Sequence, residues 1–448
     1  MVGLAKSGFA AARLARAKGA QVLVVDRRAE TELGQLPQKL RESGVEVRSG
    51  GHPARLAEAA DLLVISPGVP ADTELLRAAR VRGVPLWGEV ELAARFCRGR
   101  IIGITGSNGK STVTTMAGQI LRGAGIPGGT GGNLDTPFCD LLAEDGADAV
   151  HAVELSSFQL ETVDALQPDV AVIVNLSPDH LDRYGSYDDY ARAKARLLEV
   201  QQPAGAAVLN SDDRDSARFH EAVRGRLHTF STNREVEPGA FLRDDCLTLR
   251  TEYGEETLLR VDELPLPGEH NVANALAAAL ACRLAGCAPR AIVRGLRGYR
   301  SLPHRLESIA EVAGVRFYND SKATNSASML RALAAFAPGT VHLILGGQDK
   351  GTDWQSLARE IGRRAKRVLL VGNAAPAIHL ALAGVTVTKD CRTVRQAVRT
   401  AFAGATPGDV VLLSPGCASF DQYRNFEERG EDFRNTVQAL GLEESSDA

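Results

Sequence analysis

The sequence predicts an α/β chain of three domains, and three observations carry that expectation. The chain has 448 residues, enough for about three domains with full cores. Short apolar runs alternate with helix-like stretches along it, the pattern of sheets covered by helices. One such run, Ile101–Thr105, feeds the turn Gly106-Ser107-Asn108-Gly109-Lys110-Ser111-Thr112, a strand–turn–helix junction suited to phosphate. Domains are expected at 1–97, 98–297 and 298–448.

In the first block, Ala20–Asp26 and Ala60–Ser66 read as buried parallel strands. Gly3-Leu4-Ala5-Lys6-Ser7-Gly8 has the look of a glycine turn in a Rossmann-like unit, with Asp26 where a ribose-binding acid would stand. Ser66-Pro67-Gly68 is a turn at a strand's carboxyl end, where α/β sites form. Only Met1 and Val2 precede Gly3, so the unit's first strand is expected to be missing and to leave a hole in the sheet. In the second block, Ala149–Glu154, Val170–Asn175 and Ala206–Asn210 read as strands and Asp188–Val200 as a helix. The third begins near Tyr299, with strands at Val341–Leu345, Arg367–Val371 and Val410–Leu413 and helical stretches between.

The central turn carries the most chemistry. Its glycines let backbone N–H groups converge on phosphate oxygens, the helix start adds a positive dipole end, Lys110 supplies a compact cation and the Ser111 hydroxyl can ligate Mg²⁺. The spacing differs from G-x-x-x-x-G-K-[ST], since Ile104 stands where that pattern needs glycine.

Composition narrows the function class. The formal net charge is −3, so no basic field argues for nucleic acid. No apolar run reaches membrane-spanning length and no secretory signal opens the chain, which points to the cytoplasm. The seven cysteines are scattered without a C-x-x-C pair and read as reduced thiols. Lysine occurs only nine times against 52 lysines and arginines together. A lysine inside a motif therefore marks a place where arginine would not serve, and Lys110, Lys194, Lys322 and Lys350 are four such.

Further polar clusters recur at strand ends: E-L-S-S-F-Q-L-E from Glu154, N-L-S-P-D-H-L-D-R-Y from Asn175, Y-A-R-A-K ending at Lys194, and G-E-H-N-V-A-N from Gly268. L-P-H-R from Leu302, N-D-S-K-A-T-N from Asn319, G-G-Q-D-K from Gly346 and S-P-G-C-A-S-F-D-Q from Ser414 follow. Together they resemble the Mur ligase family of peptidoglycan synthesis, over nearly the whole chain and nearest to its D-glutamate-adding members. The resemblance implies an N-terminal Rossmann-like unit for the UDP-substrate, a central P-loop-type ATP-binding domain and a C-terminal Rossmann-like domain for the amino acid. The implied reaction is ATP-dependent amide formation. The carboxylate of UDP-N-acetylmuramoyl-L-alanine takes the γ-phosphoryl group, and the amine of D-glutamate attacks the acyl phosphate through a tetrahedral intermediate.

The resemblance also implies roles. Gly106, Ser107, Asn108, Gly109, Lys110, Ser111 and Thr112 would hold ATP phosphates, with Asn271, Asn274, Arg305 and Asp320 on the rest of ATP. Ser111, Glu154, His180 and Lys194 would serve two Mg²⁺ sites, and Lys110, Glu154, His180 and Lys194 the catalysis. Read from residues alone, Lys194 is a solvated helix lysine and one of the two asparagines a helix cap; an isolated Glu154 or His180 is a surface or hydrogen-bonded residue, but the two end successive strands, which brings them near the phosphate turn. By resemblance, Lys194 is carbamylated. Leu4, Ala5, Ser7, Gly8, Asp26, Arg27, Ser66, Gly68, Asn133, Ser156 and His180 would bind the UDP-substrate. Lys322, Thr324, Lys350, Ser419 and Phe426 would bind D-glutamate. Asp349 replaces the family's usual glycine before Lys350, which leaves that turn's geometry open. Nucleic acid and membrane insertion are not expected, and a monomer is. A folylpolyglutamate synthase would open directly with the ATP-binding domain, whereas an α/β unit precedes Ile101. A nicotinamide dehydrogenase would leave the Lys110 turn unexplained. A retired homologue that only binds nucleotide would not need Glu154, His180 and Lys194.

Overall fold

In the computed structural model, all residues are described except Ala71, Leu181, Asp182 and Ala448, with backbone alone at 144 and 445–447; Leu181 and Asp182 fall inside the Asn175 cluster. Two units emerge: Met1–Glu263 with Ala273–Tyr299, and Leu264–Val272 with Arg300–Ala448.

In the first unit, β1 (Leu23–Asp26) pairs in parallel with β2 (Glu46–Ser49), and β3 (Leu63–Ile65) with β4 (Leu86–Gly88). The expected hole between the two pairs is absent. Val2 forms parallel bridges to both Val25 and Ile65. Its N–H donates to Val64 O at 2.8 Å, Ser66 N–H donates to Val2 O at 3.0 Å and Gly3 N–H donates to Val25 O at 2.7 Å. The Met1 ammonium reaches Leu23 O at 2.8 Å, and burial lowers its pKa to about 6. Two residues thus make the bonds of a short strand, because a slot between parallel strands needs only backbone donors and acceptors.

The large sheet runs in the order β13-β12-β11-β10-β9-β8-β5-β7-β6. Its strands are β5 (Arg100–Thr105), β6 (Thr130–Gly132), β7 (Val150–Glu154), β8 (Val170–Ile173), β9 (Ala206–Asn210), β10 (Arg226–Ser231), β11 (Gly239–Arg243), β12 (Cys246–Thr251) and β13 (Gly254–Arg260). β5 lies between β7 and β8, so chain direction across the sheet reverses at its carboxyl end, where a ligand crevice opens in such folds. The antiparallel extension β11–β13 gives a weak sequence signal. One face is laced by Arg243–Glu235, Arg243–Glu255 and Arg250–Glu255 pairs, which dilute its apolar alternation. The helix Tyr187–Glu199 buries Tyr190, Ala191, Lys194, Leu197 and Leu198, a single stripe at helical spacing.

In the second unit, the order is β14-β15-β19-β16-β17-β18, from β14 (Glu307–Val312), β15 (Val315–Asn319), β16 (Val341–Gly346), β17 (Ala365–Val371), β18 (Thr388–Arg392) and β19 (Val410–Leu413). All pairs are parallel except β14 with β15. The carboxyl ends of β15, β19 and β16 are neighbours, and the N-D-S-K, S-P-G-C and G-G-Q-D-K segments leave from them. Among the described residues, no helix is long and apolar enough to cross a membrane.

Candidate active site

At the end of β5, Gly109 has φ +81° and starts the helix Lys110–Gly123. A Cβ there would run into the Asn274 carboxamide oxygen, so glycine meets both a backbone and a space requirement. The loop is fastened to the end of β8. Ser107 N–H donates to Asn175 O at 3.0 Å, Asn108 N–H to Asn175 Oδ1 at 2.9 Å and Asn175 Nδ2 to Asn108 O at 3.0 Å. Ser107 Oγ donates to Ser177 O at 2.9 Å. Lys110 folds back, its Nζ 2.9 Å from both Gly106 O and Ser107 O.

Lys194 overturns the reading of a solvated lysine. It is 1 % exposed, and its Nζ donates to Gly106 O at 2.8 Å and lies 4.6 Å from the Tyr190 ring centre. Burial pulls its pKa far below the usual lysine value, Lys110 pushes the same way, and Asp179 and Glu154 oppose them. The amine therefore gives up its proton more readily than an exposed lysine does. The helix face that buries Tyr190 and Leu197 buries Lys194 as well, which period alone could not reveal.

Glu154 ends β7. It is buried, its Oε1 accepts from Asn133 Nδ2 at 2.9 Å, and its Oε2 is buried without a protein donor. An orphaned carboxylate oxygen beside a phosphate loop fits a hard cation, so the donor set suits Mg²⁺. Ser111 is buried one residue into the helix. His180 has φ +54°, its N–H donates to Asp179 Oδ1 at 2.9 Å, and its ring centre is 5.0 Å from that of Phe158. Ser156 is the cap of the helix Ser157–Leu160.

The N-terminal turn is tied down by Asp26. Leu4 N–H donates to its Oδ2 at 2.7 Å, and Arg28 donates from its backbone and guanidinium at 2.9–3.0 Å. Burial would raise the carboxyl, but the Arg28 and Leu4 bonds outweigh it and hold it well below the usual range. Arg28, not singled out from the sequence, is thus the cation paired with Asp26, while Arg27 is exposed. Ser66 Oγ donates to Gly3 O at 3.0 Å. The helix Lys6–Ala17 starts after Ala5, so Ser7 and Gly8 fall in its first turn; Gly68 borders open space. A cavity of about 160 Å³ is lined by Ser66, Pro67, Glu89, Phe158, Gln159 and Arg183, among others. Arg183 stacks over Phe158 at 3.9 Å, a pair the sequence did not flag.

The second unit holds the rest. Asn271 Nδ2 donates to Pro267 O at 2.7 Å. Arg305 lies between His304 at φ +64° and Leu306 at φ +44°, a backbone shape held by Leu306 N–H on Asp320 Oδ1 at 3.1 Å. Asp320 also accepts from Ser414 Oγ at 2.9 Å, and burial pushes its carboxyl up to about 7. Lys322 Nζ lies 4.6 Å over the Phe426 ring, Thr324 is half-buried and Ser419 is buried. Asp349 closes the turn whose geometry was open, accepting from Lys350 N–H at 2.8 Å, Thr352 N–H at 3.2 Å and Trp354 Nε1 at 3.2 Å. A larger basic groove between Lys389 and Arg399 holds none of these residues.

Three family models match the chain. Residues 1–88 match the Mur ligase MurD-like N-terminal domain, 104–282 the Mur ligase middle domain and 304–417 the Mur ligase glutamate ligase domain. The chain is 45 % identical over 441 residues to UDP-N-acetylmuramoylalanine–D-glutamate ligase of Acidobacterium capsulatum, covering 98 % of this chain and 95 % of that one. It is 46 % identical to the ligase of the same name from Anaeromyxobacter dehalogenans, covering 97 % and 96 %. Among solved structures, UDP-N-acetylmuramate–alanine ligase of Thermotoga maritima matches with TM-score 0.61 at 19 % identity over 98 % of each chain, a likeness of fold.

Proposed function

The chain belongs to the Mur ligase family, and from that premise we propose that it is an ATP-dependent, ADP-forming ligase that joins D-glutamate to UDP-N-acetylmuramoyl-L-alanine. This is a step in building the peptidoglycan precursor, and we place it in the cytoplasm, carried out by a monomer. The observation that carries the site reading is the buried Lys194 amine against Gly106 O, beside Lys110.

The chemistry needs two anions, ATP and a carboxylate, held in line with their repulsion neutralised. Gly106–Thr112 cradle the phosphates with backbone N–H groups and Lys110, and Arg305 adds a second cation. Asn271 and Asn274 face the adenine and Asp320 the ribose. The turn at Leu4 and Ala5 and the first N–H groups of the helix that follows, at Ser7 and Gly8, receive the diphosphate, framed by Asp26, Arg27, Ser66 and Gly68, while Asn133, Ser156 and His180 hold the muramoyl-alanine end. Ser111, Glu154, His180 and Lys194 would hold two Mg²⁺, which when bound neutralise the transferred phosphoryl charge. A neutral, buried amine is the form that adds to CO₂, so Lys194 is suited to become a carbamate, an anion with a carboxylate's reach. Lys322, Thr324, Lys350, Ser419 and Phe426 receive D-glutamate, cations and donors being apt for two carboxylates.

The deciding assay is phosphate release from ATP and UDP-N-acetylmuramoyl-L-alanine with D-Glu, L-Glu, L-Ala or diaminopimelate supplied separately. Release with D-Glu alone is expected. Release with another amino acid would overturn the specificity, and release with none would overturn the activity.

A further inference from the structure

We infer that Arg429 is the positioning residue of the amino-acid pocket, a buried guanidinium that locks together the loops bearing Lys322, Thr324, Ser419, Phe426 and Lys350. The inference rests on the reading of those loops as the D-glutamate site.

Arg429 lies in the first turn of the helix Phe426–Asp447 and is 2 % exposed. Its Nε donates to Ser321 Oγ at 3.0 Å and its Nη2 to Ser321 O at 2.8 Å. Its Nη1 donates to Cys417 O at 3.1 Å and Ala418 O at 3.3 Å. Ser321 Oγ in turn donates to Phe426 O at 2.8 Å. Ala418 O also accepts from Gln348 N–H at 2.9 Å, and Ala418 N–H donates back to Gln348 O at 3.1 Å. One side chain thus reaches the loops after β15 and β19 directly, the start of its own helix through Ser321, and the loop after β16 through Ala418. Ser321, Cys417, Ala418 and Gln348 each lie one or two residues from a proposed D-glutamate contact, and Phe426 is itself one. The fit is tight: a Cβ at Gly347, where φ is +133°, would lie 3.2 Å from Nη1.

Stability does not demand this charge. The bonded acceptors are carbonyls and a hydroxyl, not a carboxylate, and a buried cation is costly to desolvate. Burial draws its pKa to about 10, so it remains charged at neutral pH. A planar fork can serve three carbonyls and a hydroxyl at fixed angles, whereas an ammonium cannot. The cation also adds a fixed positive field beneath a pocket for a dicarboxylate.

The test compares Arg429→Lys, Arg429→Met and Ser321→Ala with the parent chain by thermal melting and by KM for each of the three substrates. For Arg429→Lys, a folded protein is expected with the amino-acid KM raised about 10-fold, the scale of one or two buried bonds lost. KM for ATP and for the UDP-substrate should stay within about 2-fold. Ser321→Ala should shift the same KM less. If Arg429→Met does not fold, the other two variants decide. Unchanged amino-acid KM, or activity lost only in proportion to folded protein, would overturn the inference. Were the parent chain to use an amino acid other than D-Glu, the functional reading would fail while KM for that amino acid still judged Arg429.

Discussion

The phosphate-loop region of the first unit and the amino-acid region of the second solve the same problem, anion capture, in opposite ways. Around β5, three of the groups proposed to act are themselves buried, Lys194, Glu154 and Ser111 each being at most 3 % exposed, while Lys110 is half-buried and His180 exposed. In the second unit, Lys322 and Lys350 are exposed, and the buried cation is Arg429, behind the contact residues. Burying a reacting amine retunes its pKa and its chemistry. Leaving a contact lysine in water puts the burden of order on the framework. The first region is expected to fail through kcat and the second through KM.

Lys194→Ala tests the first half most severely. Turnover should fall by about 10²- to 10³-fold, the scale of losing one charge-stabilising group in a reacting site, with part recovered by a short added carboxylate. Phosphate release in the presence of acetate or formate checks it, and near-parent turnover without supplement would remove the carbamate. Glu154→Gln should lower kcat by about 10- to 100-fold and raise the Mg²⁺ concentration needed for half-activity, read from a Mg²⁺ titration. Lys350→Ala should raise the D-Glu KM about 10-fold and leave kcat within a few-fold, the scale of one charge-assisted bond. A kcat collapse there would erase the contrast between the regions.

The smallest effect concerns pH. Glu89, buried against Cys139 N–H, has its carboxyl pushed up to about 7 by burial. A raised folded-state pKa stabilises fully below the unfolded value and is lost as pH climbs to the folded one, here from about 4.5 to 7. Glu89→Gln should therefore narrow the drop in melting temperature between pH 5 and pH 8 by roughly a few degrees. Melting curves of both proteins across that range check it, and parallel curves would reject it.

Much of this layout was legible in the chain. The strands at 149–154, 206–210 and 410–413 stand out because parallel strands covered on both faces are continuous apolar runs. The phosphate turn stands out because so few residues satisfy both its φ values and its close approach to ligand. The β11–β13 extension did not, since its charged face masks alternation. Arg28, Arg183 and Arg429 were missed among many arginines, since an arginine's partner lies far away in sequence and leaves no local period.

The sequence by itself determined the α/β class, the position of the phosphate turn and the family, because those depend on local backbone demands and short-range order of residue types. Only the tertiary structure decided that Lys194 is buried against Gly106 O, and that Met1 and Val2 bridge two strand pairs. It alone decided that Asp26 is held by Arg28 and that one arginine fastens the loops of the amino-acid pocket. Those properties belong to pairs of groups brought together from distant parts of the chain, and desolvation and hydrogen-bond geometry exist only once such groups meet.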